Sequence, residues 1–439
     1  MISKAAITVV FALTFVDAFS QQINRARLDS LFQTLEENNR FMGSVAISHH
    51  GKVIYARAVG FADLETNKKS TVETKYRVGS ISKTFTSALV FKAVEEGHLS
   101  LVESVDKYFP TVENSKEITV SHLLNHRSGI RNFTNDAEYG KWNTQPKTKQ
   151  EMIDLISKGA SEFEPDTKAG YSNSNYVLLT FILEKLYRKS FAEILTEKIT
   201  RPIGLRDTYV GGKIDIAKNE CHSYQFSKSW NKQSETDMSI PSGAGAVVSN
   251  PTDLTKYIGA LFTGKILSAQ SLERMKTTQD NYGMGIFQTP FYEKKGYGNA
   301  GAIDGFSATL AYYPEDNLSI ALTSNGNNYN NNSIVIGALS IFYGKPFKVP
   351  DFKTYELNAE DLNQYAGVYA SQEIPLKITV SKEHTTLIAQ ATGQPSFKLE
   401  ATEKDVFRFE PAGVVLEFKP NTKQMILKQG GGVFTFTKE

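Results

Sequence analysis

The residues Val78-Gly79-Ser80-Ile81-Ser82-Lys83-Thr84-Phe85 place a hydroxyl and an amine three positions apart at the start of an apolar helical pattern. On a helix, positions i and i+3 share a face, so Ser80 and Lys83 can touch. A serine hydroxyl is a weak nucleophile until a base takes its proton. A lysine can be that base when burial or a cationic neighbour lowers its pKa. The helix start adds free backbone N–H groups and a positive partial charge. The same tetrapeptide is also compatible with a serine cap followed by a surface lysine.

A second cluster, Gly170-Tyr171-Ser172-Asn173-Ser174-Asn175-Tyr176, lies on a loop entering another helical pattern. Tyr171 and Asn173, two residues apart, point roughly the same way. The phenol can relay protons, and the amide can hold a lysine or a substrate carbonyl. His122 and His126 stand four apart, a spacing that suits two zinc ligands on one helix face. The zinc-protease pattern needs glutamate after the first histidine, and Leu123 is there. No Gly-x-Ser-x-Gly elbow occurs, which argues against a classical α/β-hydrolase. Gly430-Gly431-Gly432 reads as a hairpin turn, not a phosphate loop, since no lysine-threonine pair or helix follows.

These residues need a scaffold. The chain has 439 residues, with 40% hydrophobic and 22% charged residues and a net charge of +2. That is a globular composition with no basic block, so nucleic acid is not an expected partner. Lys4, the apolar run Ala5–Val16 and the small-residue exit Ala18-Phe19-Ser20 form the pattern of a secretory leader over 1–20. No other run is long and apolar enough to span a bilayer, so the expected product is periplasmic or secreted, without a transmembrane anchor. Cys221 is the single cysteine, which excludes an internal disulfide.

Two strands flank His49-His50-Gly51, from Gly43–Ser48 and Lys52–Arg57, and two more flank Pro314–Asn317, from Ala308–Tyr313 and Leu318–Thr323. Helical patterns fill the middle, over Ser80–Glu96 and Asn175–Leu186. Early strands, central helices and late strands predict an α+β fold: one antiparallel sheet assembled from both ends, with a helical region inserted. Asn325–Ser333, rich in asparagine, reads as a loop into a helix over Ile334–Phe342. After Lys345–Pro350 come short, regularly spaced strands, which predict a small antiparallel β-barrel. The expected division is a leader over 1–20, a first domain over 21–350 and the barrel domain over 351–439.

Together these motifs resemble the penicillin-recognising serine hydrolases: class C β-lactamases, serine DD-peptidases and related esterases. The resemblance spans about 40–343 and rests on five ordered segments: Tyr76–Phe85, Ile118–Gly129, Gly170–Leu179, Pro241–Ser249 and Gly298–Phe306. It implies that Ser80 is acylated, that Lys83 accepts its proton and that Tyr171 is the partner acid or base. Whether lysine or tyrosine is the base stays open. It also implies that Asn173 braces Lys83 and the substrate, and that the N–H groups of Ser80 and Ala302 form an oxyanion hole. The family's third motif usually carries lysine or histidine, a small residue, then glycine; here Asn299-Ala300-Gly301 stands there. Asparagine donates hydrogen bonds but cannot attract a carboxylate by charge. The segment Tyr365–Tyr369 resembles the start of the lipocalin-like domains appended to such hydrolases.

The resulting expectation is an exported serine hydrolase that cleaves a small-molecule or peptide ester or amide, of D-amino-acid or cell-wall type, with no cofactor or metal. Its alternatives are a DD-carboxypeptidase or β-lactamase with Asn299 in place of the charged residue, and an inactive binding or scaffold protein. Oligomeric state is not legible.

Overall fold

The computed structural model describes residues 23–352, 355, 357–430 and 432–439. The leader pattern over 1–20 lies outside them. Among the described residues no helix is long and apolar enough to cross a membrane.

Helix α1 (Arg25–Glu37) is followed by the hairpin β1 (Phe41–His49) and β2 (Lys52–Val59). The sheet is completed by residues far along the chain: β3 (Phe287–Gln288), β4 (Tyr297–Ile303), β5 (Phe306–Tyr313) and β6 (Leu318–Asn327). The order is β3-β4-β5-β6-β1-β2, antiparallel throughout, with Val45 opposite Leu322 and Ile47 opposite Ile320. The expected sheet from both ends of the chain is therefore present.

Successive strand residues face opposite sides. On one side Val45, Ile47, Ile320 and Leu322 pack against Leu28, Leu31 and Phe32 of α1. Ile334, Ala338 and Leu339 of the C-terminal helix join the same cluster. On the other side Ala308, Leu310, Tyr312 and Ala321 meet the helical region. Both faces are covered, which is why β1 is buried over nearly its whole length.

The inserted region holds α2 (Ser82–Glu95), α3 (Asn173–Tyr187) and α4 (Pro251–Phe262). Helices α2 and α3 are buried almost all round, and Phe85, Leu89, Tyr176 and Leu179 share one core. The C-terminal helix α5 (Asn331–Phe342) starts three residues earlier than its apolar pattern. Asn330 caps it, accepting from the Ser333 N–H at 3.1 Å. Part of the asparagine tract is strand, not loop. Asn325 is buried in β6, where its amide donates to the carbonyls of Phe61 and His222, both at 2.8 Å. Those two bonds let a poor strand former sit in a strand.

Eight more strands close a barrel: β7 (Gly367–Ala370), β8 (Lys377–Glu383), β9 (Thr386–Ala391), β10 (Phe397–Glu403), β11 (Val406–Phe409), β12 (Val414–Lys419), β13 (Gln424–Gln429) and β14 (Gly432–Lys438). Tyr369 pairs with Lys438 to shut it. Of the glycine run, Gly430 follows β13 in a turn and Gly432 opens β14, paired with Gln429, as in a hairpin. Inward residues, among them Leu387, Phe407, Leu416, Phe418, Met425 and Phe436, fill the interior. Arg40, which immediately precedes β1, ties body to barrel. It is 8% exposed and grips Glu400 with two bonds, at 3.1 and 2.5 Å.

Candidate active site

Ser80 sits in a 3₁₀ turn, Gly79–Ile81, which runs into α2. The helical pattern that begins at Ser80 is thus α-helical only from Ser82. Gly79 takes φ +51°, and a Cβ there would lie 2.7 Å from the Ala302 nitrogen. A Cβ on Gly301 would lie 2.1 Å from the Val78 carbonyl and 2.7 Å from the Ser80 nitrogen. These two glycines let β4 press onto the turn. The Ser80 and Ala302 peptides are brought together, as an oxyanion hole requires.

Lys83 lies one turn on and is 1% exposed. Helix α2 is buried all round at this turn, which keeps the lysine side chain out of solvent. Its Nζ donates to Ser80 Oγ at 3.0 Å, to Asn173 Oδ1 at 2.7 Å and to the Ala244 carbonyl at 2.7 Å. Among the described residues no carboxylate touches it. Burial alone holds its pKa well below the ordinary lysine value. The Tyr171 hydroxyl is 2.6 Å from Ser80 Oγ, and burial pushes its pKa up to about 12. The amine is therefore biased toward its neutral form and the phenol is kept protonated.

Asn173 opens α3 and is held at three points. Its N–H donates to Asn132 Oδ1 at 3.0 Å, its amide nitrogen to Thr134 Oγ1 at 3.2 Å, and its oxygen faces Lys83. His126 props the same loop from behind. Its ring lies 4.6 Å from that of Tyr171, and its Nδ1 accepts from the Ser172 N–H at 3.2 Å. It is buried, and desolvation with Lys83 nearby takes its pKa down to about 3, so it is neutral. The zinc pairing of His122 with His126 does not form. His122 belongs to a helix, Val120–Leu124, that ends before His126, and its Nδ1 faces the Thr119 N–H. His126 has φ +61°, off that helix and on another face.

Ser80 and Tyr171 open on a cleft of about 670 Å³. Its walls include Asn299, Ala300 and Gly301 of β4, Ser307 and Thr309 of β5, Asn327, Asn330, Asn331 and Asn332, and Pro411 from the barrel; among the described residues none of the lining is charged. Asn299 is only 5% exposed. Its Nδ2 donates to the Gly285 carbonyl at 3.1 Å and its Oδ1 accepts from the Ala300 N–H at 2.8 Å. It fastens the segment before β3 to β4, with one amide hydrogen left for the cleft.

The structure thus brings Ser80, Lys83, Tyr171, Asn173, Asn299, Gly301 and Ala302 to one place. Three participants were not singled out from sequence. The Ala244 carbonyl comes from the Pro241–Ser249 segment, where only the resemblance pointed. His126 was weighed as a metal ligand. Pro411 carries no sequence signal.

A serine turn pressed against an antiparallel sheet, with a lysine whose pKa is lowered by burial and a tyrosine beside it, is the geometry of a serine hydrolase. The beta-lactamase family model matches residues 28–337, and the chain belongs to that family. Among curated relatives, penicillin-binding protein 4* of Bacillus subtilis (strain 168) is 26% identical, across 94% of this chain and 98% of its own. A teichoic acid D-alanine hydrolase of Staphylococcus aureus (strain MRSA252) is 27% identical across 66% of this chain and 72% of its own. Among solved structures, the octameric penicillin-binding protein homologue from Pyrococcus abyssi covers 94% of this chain with a TM-score of 0.67 at 24% identity. That likeness extends through the barrel, whose eight antiparallel strands fit a lipocalin-like domain.

Proposed function

We propose that this chain is an exported hydrolase that cleaves a neutral ester or amide through an acyl-enzyme on Ser80. In this reading the leader over 1–20 is removed, 21–350 is the hydrolase domain and 351–439 the barrel domain, and the product works in the periplasm or outside the cell. Ser80 Oγ attacks the substrate carbonyl while its proton passes to neutral Lys83. The oxyanion is held by the N–H groups of Ser80 and Ala302. Tyr171, protonated and in contact with Oγ, hands a proton to the departing alkoxide or amine as the carbonyl bond to it breaks. Lys83 restores that proton. Water then displaces the acyl group and regenerates Ser80. The opposite pKa biases of the two groups favour lysine over tyrosine as the base.

One observation carries the choice of substrate: among the described residues the cleft has no charged side chain, and Asn299 stands where the resembled family usually has lysine or histidine. A substrate carboxylate finds no counter-charge there, whereas neutral polar groups meet amides and hydroxyls. The similarity to an enzyme named for hydrolysing D-alanine from teichoic acid supports a D-amino-acid ester as the first class to try: its carboxyl is masked in the ester, so the acyl side brings no free carboxylate into the cleft, although its amine is charged.

The test uses chain lacking residues 1–20, beside Ser80→Ala, with a D-alanyl ester, nitrocefin and a D-Ala-D-Ala peptide, and follows acylation by intact mass. The expected outcome is ester turnover and a Ser80 adduct, both absent from Ser80→Ala. Turnover of nitrocefin or peptide at rates matching the ester overturns the neutral-substrate reading. No adduct with any of them overturns the acyl-enzyme.

A further inference from the structure

The body of the hydrolase does not close its own cleft. Part of the wall is Pro411, in the 3₁₀ turn Glu410–Ala412 that joins barrel strands β11 and β12. This turn is held from both sides. Asn330, the α5 cap, donates from Nδ2 to the Pro411 carbonyl at 3.4 Å. Within the barrel, Gln429 donates to the Ala412 carbonyl at 3.1 Å, and the Gly413 N–H, at φ +62°, donates to the Glu410 carbonyl at 3.0 Å. The Arg40–Glu400 fork fixes the barrel to the sheet next to it. Opposite the turn, the amides are already ordered: Asn327 donates to Asn331 at 3.1 Å, and Asn331 to Ser307 at 2.8 Å. Glu410 does not bring its charge into the cleft. It lines a separate recess with Arg40, Tyr329 and Arg408.

We propose that the Glu410–Ala412 turn is a specificity-determining wall of the active site, so that the barrel limits the bulk of the group Ser80 can serve. The inference rests on the reading of Ser80 as nucleophile. The group seated between turn and asparagines is uncharged and hydrogen-bonding, of polyol or amide type, because a proline and a row of amides offer contact and hydrogen bonds but no counter-ion. A rigid wall of this kind discriminates by size, since proline has a fixed φ and the turn is bonded at both flanks.

The chain itself suggests the test. Pro411 is exposed, and the only native thiol, Cys221, is 1% exposed. Pro411→Cys can therefore be modified selectively after folding, with a methylthio group or a bulky maleimide. Two fluorophosphonates then report on Ser80, one with a short alkyl chain and one with a tri(ethylene glycol) amide, and the readout is the ratio of their labelling rates. The maleimide adduct is expected to lower the long-to-short ratio about tenfold, with the methylthio adduct between it and native protein. The same maleimide on Val433→Cys, at an exposed barrel position outside the cleft, is expected to leave the ratio within about twofold. A ratio unmoved at 411, or moved equally at 433, overturns the wall while leaving Ser80 labelled. Native chain that neither probe labels overturns the Ser80 reading and this inference with it.

Discussion

Two cations lie buried three residues to either side of Ser80, and the fold treats them in opposite ways. Arg77 is in the short strand Tyr76–Arg77, with its side chain 2% exposed. It meets Asp304 at 2.8 Å and Glu235 at 3.3 Å, and donates to the carbonyls of Thr236 and Gly212. Lys83 is as deeply buried but meets only neutral oxygens. A buried charge with carboxylates around it stays charged and ties elements together. A buried amine without them loses its proton readily and becomes a base. Asp304 sits in the turn between β4 and β5, so the Arg77 pair holds the strand that carries Ala302, while in the proposed mechanism Lys83 moves the proton.

The largest effect that can break this contrast is Lys83→Arg. A guanidinium stays protonated, so kcat/KM on an ester is expected to fall on the order of 10³-fold or more. In the native chain the rate is expected to rise with pH through the Lys83 pKa, well below the ordinary lysine range, and the arginine variant is expected to lack that limb. Retained activity would return the base role to Tyr171. Next is Arg77→Met, which strands Asp304 and Glu235 and is expected to cost about 3–5 kcal/mol in urea unfolding. A cost under ~1 kcal/mol would show that the pair is not the tie described.

Lys83→Met sharpens the contrast on the stability side. Relief of lysine desolvation offsets the hydrogen bonds lost at Asn173 and Ala244, so its cost at neutral pH is expected to stay within about 1 kcal/mol. The sign with pH is fixed by the lowered folded pKa. Between that value and the ordinary lysine value of 10.5, the unfolded chain binds more protons than the folded one. Native stability therefore rises with pH across that window, and the methionine variant should lack the slope. Parallel unfolding curves for the two proteins from pH 6 to 9.5 would remove the case for a neutral lysine. Smallest is Asn299→Ala, which loses the tie to Gly285. A drop of about 1 kcal/mol in stability, with a few-fold rise in KM, is expected. An unchanged melting temperature would mean that the tie carries no weight.

What could be read from the chain alone followed sequence distance. Ser80 with Lys83, and Tyr171 with Asn173, are local pairs whose spacing carries their geometry. The hairpin at His49–Gly51 and the one at Pro314–Asn317 announce themselves by turn residues and alternation. The Ala244 carbonyl was invisible because every residue has one, and only the fold brings it 161 positions back to Lys83. The Arg77–Asp304 pair, 227 positions apart, has the same character. The histidine pair failed for a local reason: helical spacing means nothing once the backbone turns left-handed at His126. The asparagine tract misled in part, because composition argues for a loop while two long-range carbonyls hold Asn325 in a strand.

The sheet assembled from both ends of the chain has a consequence in time. The Met42 carbonyl accepts a bond from Ser324 Oγ, 282 residues downstream. A ribosome adding ~5–20 residues per second takes on the order of tens of seconds to cover that distance. Once Tyr171 has been added, the nascent chain contains Ser80, Lys83 and Tyr171 but still lacks the strand that completes the sheet behind them. The sheet behind the cluster is thus incomplete until its last strand emerges. A chain truncated before Leu318 carries Ser80, Lys83, Tyr171 and β4, but not the strand that joins β5 to β1.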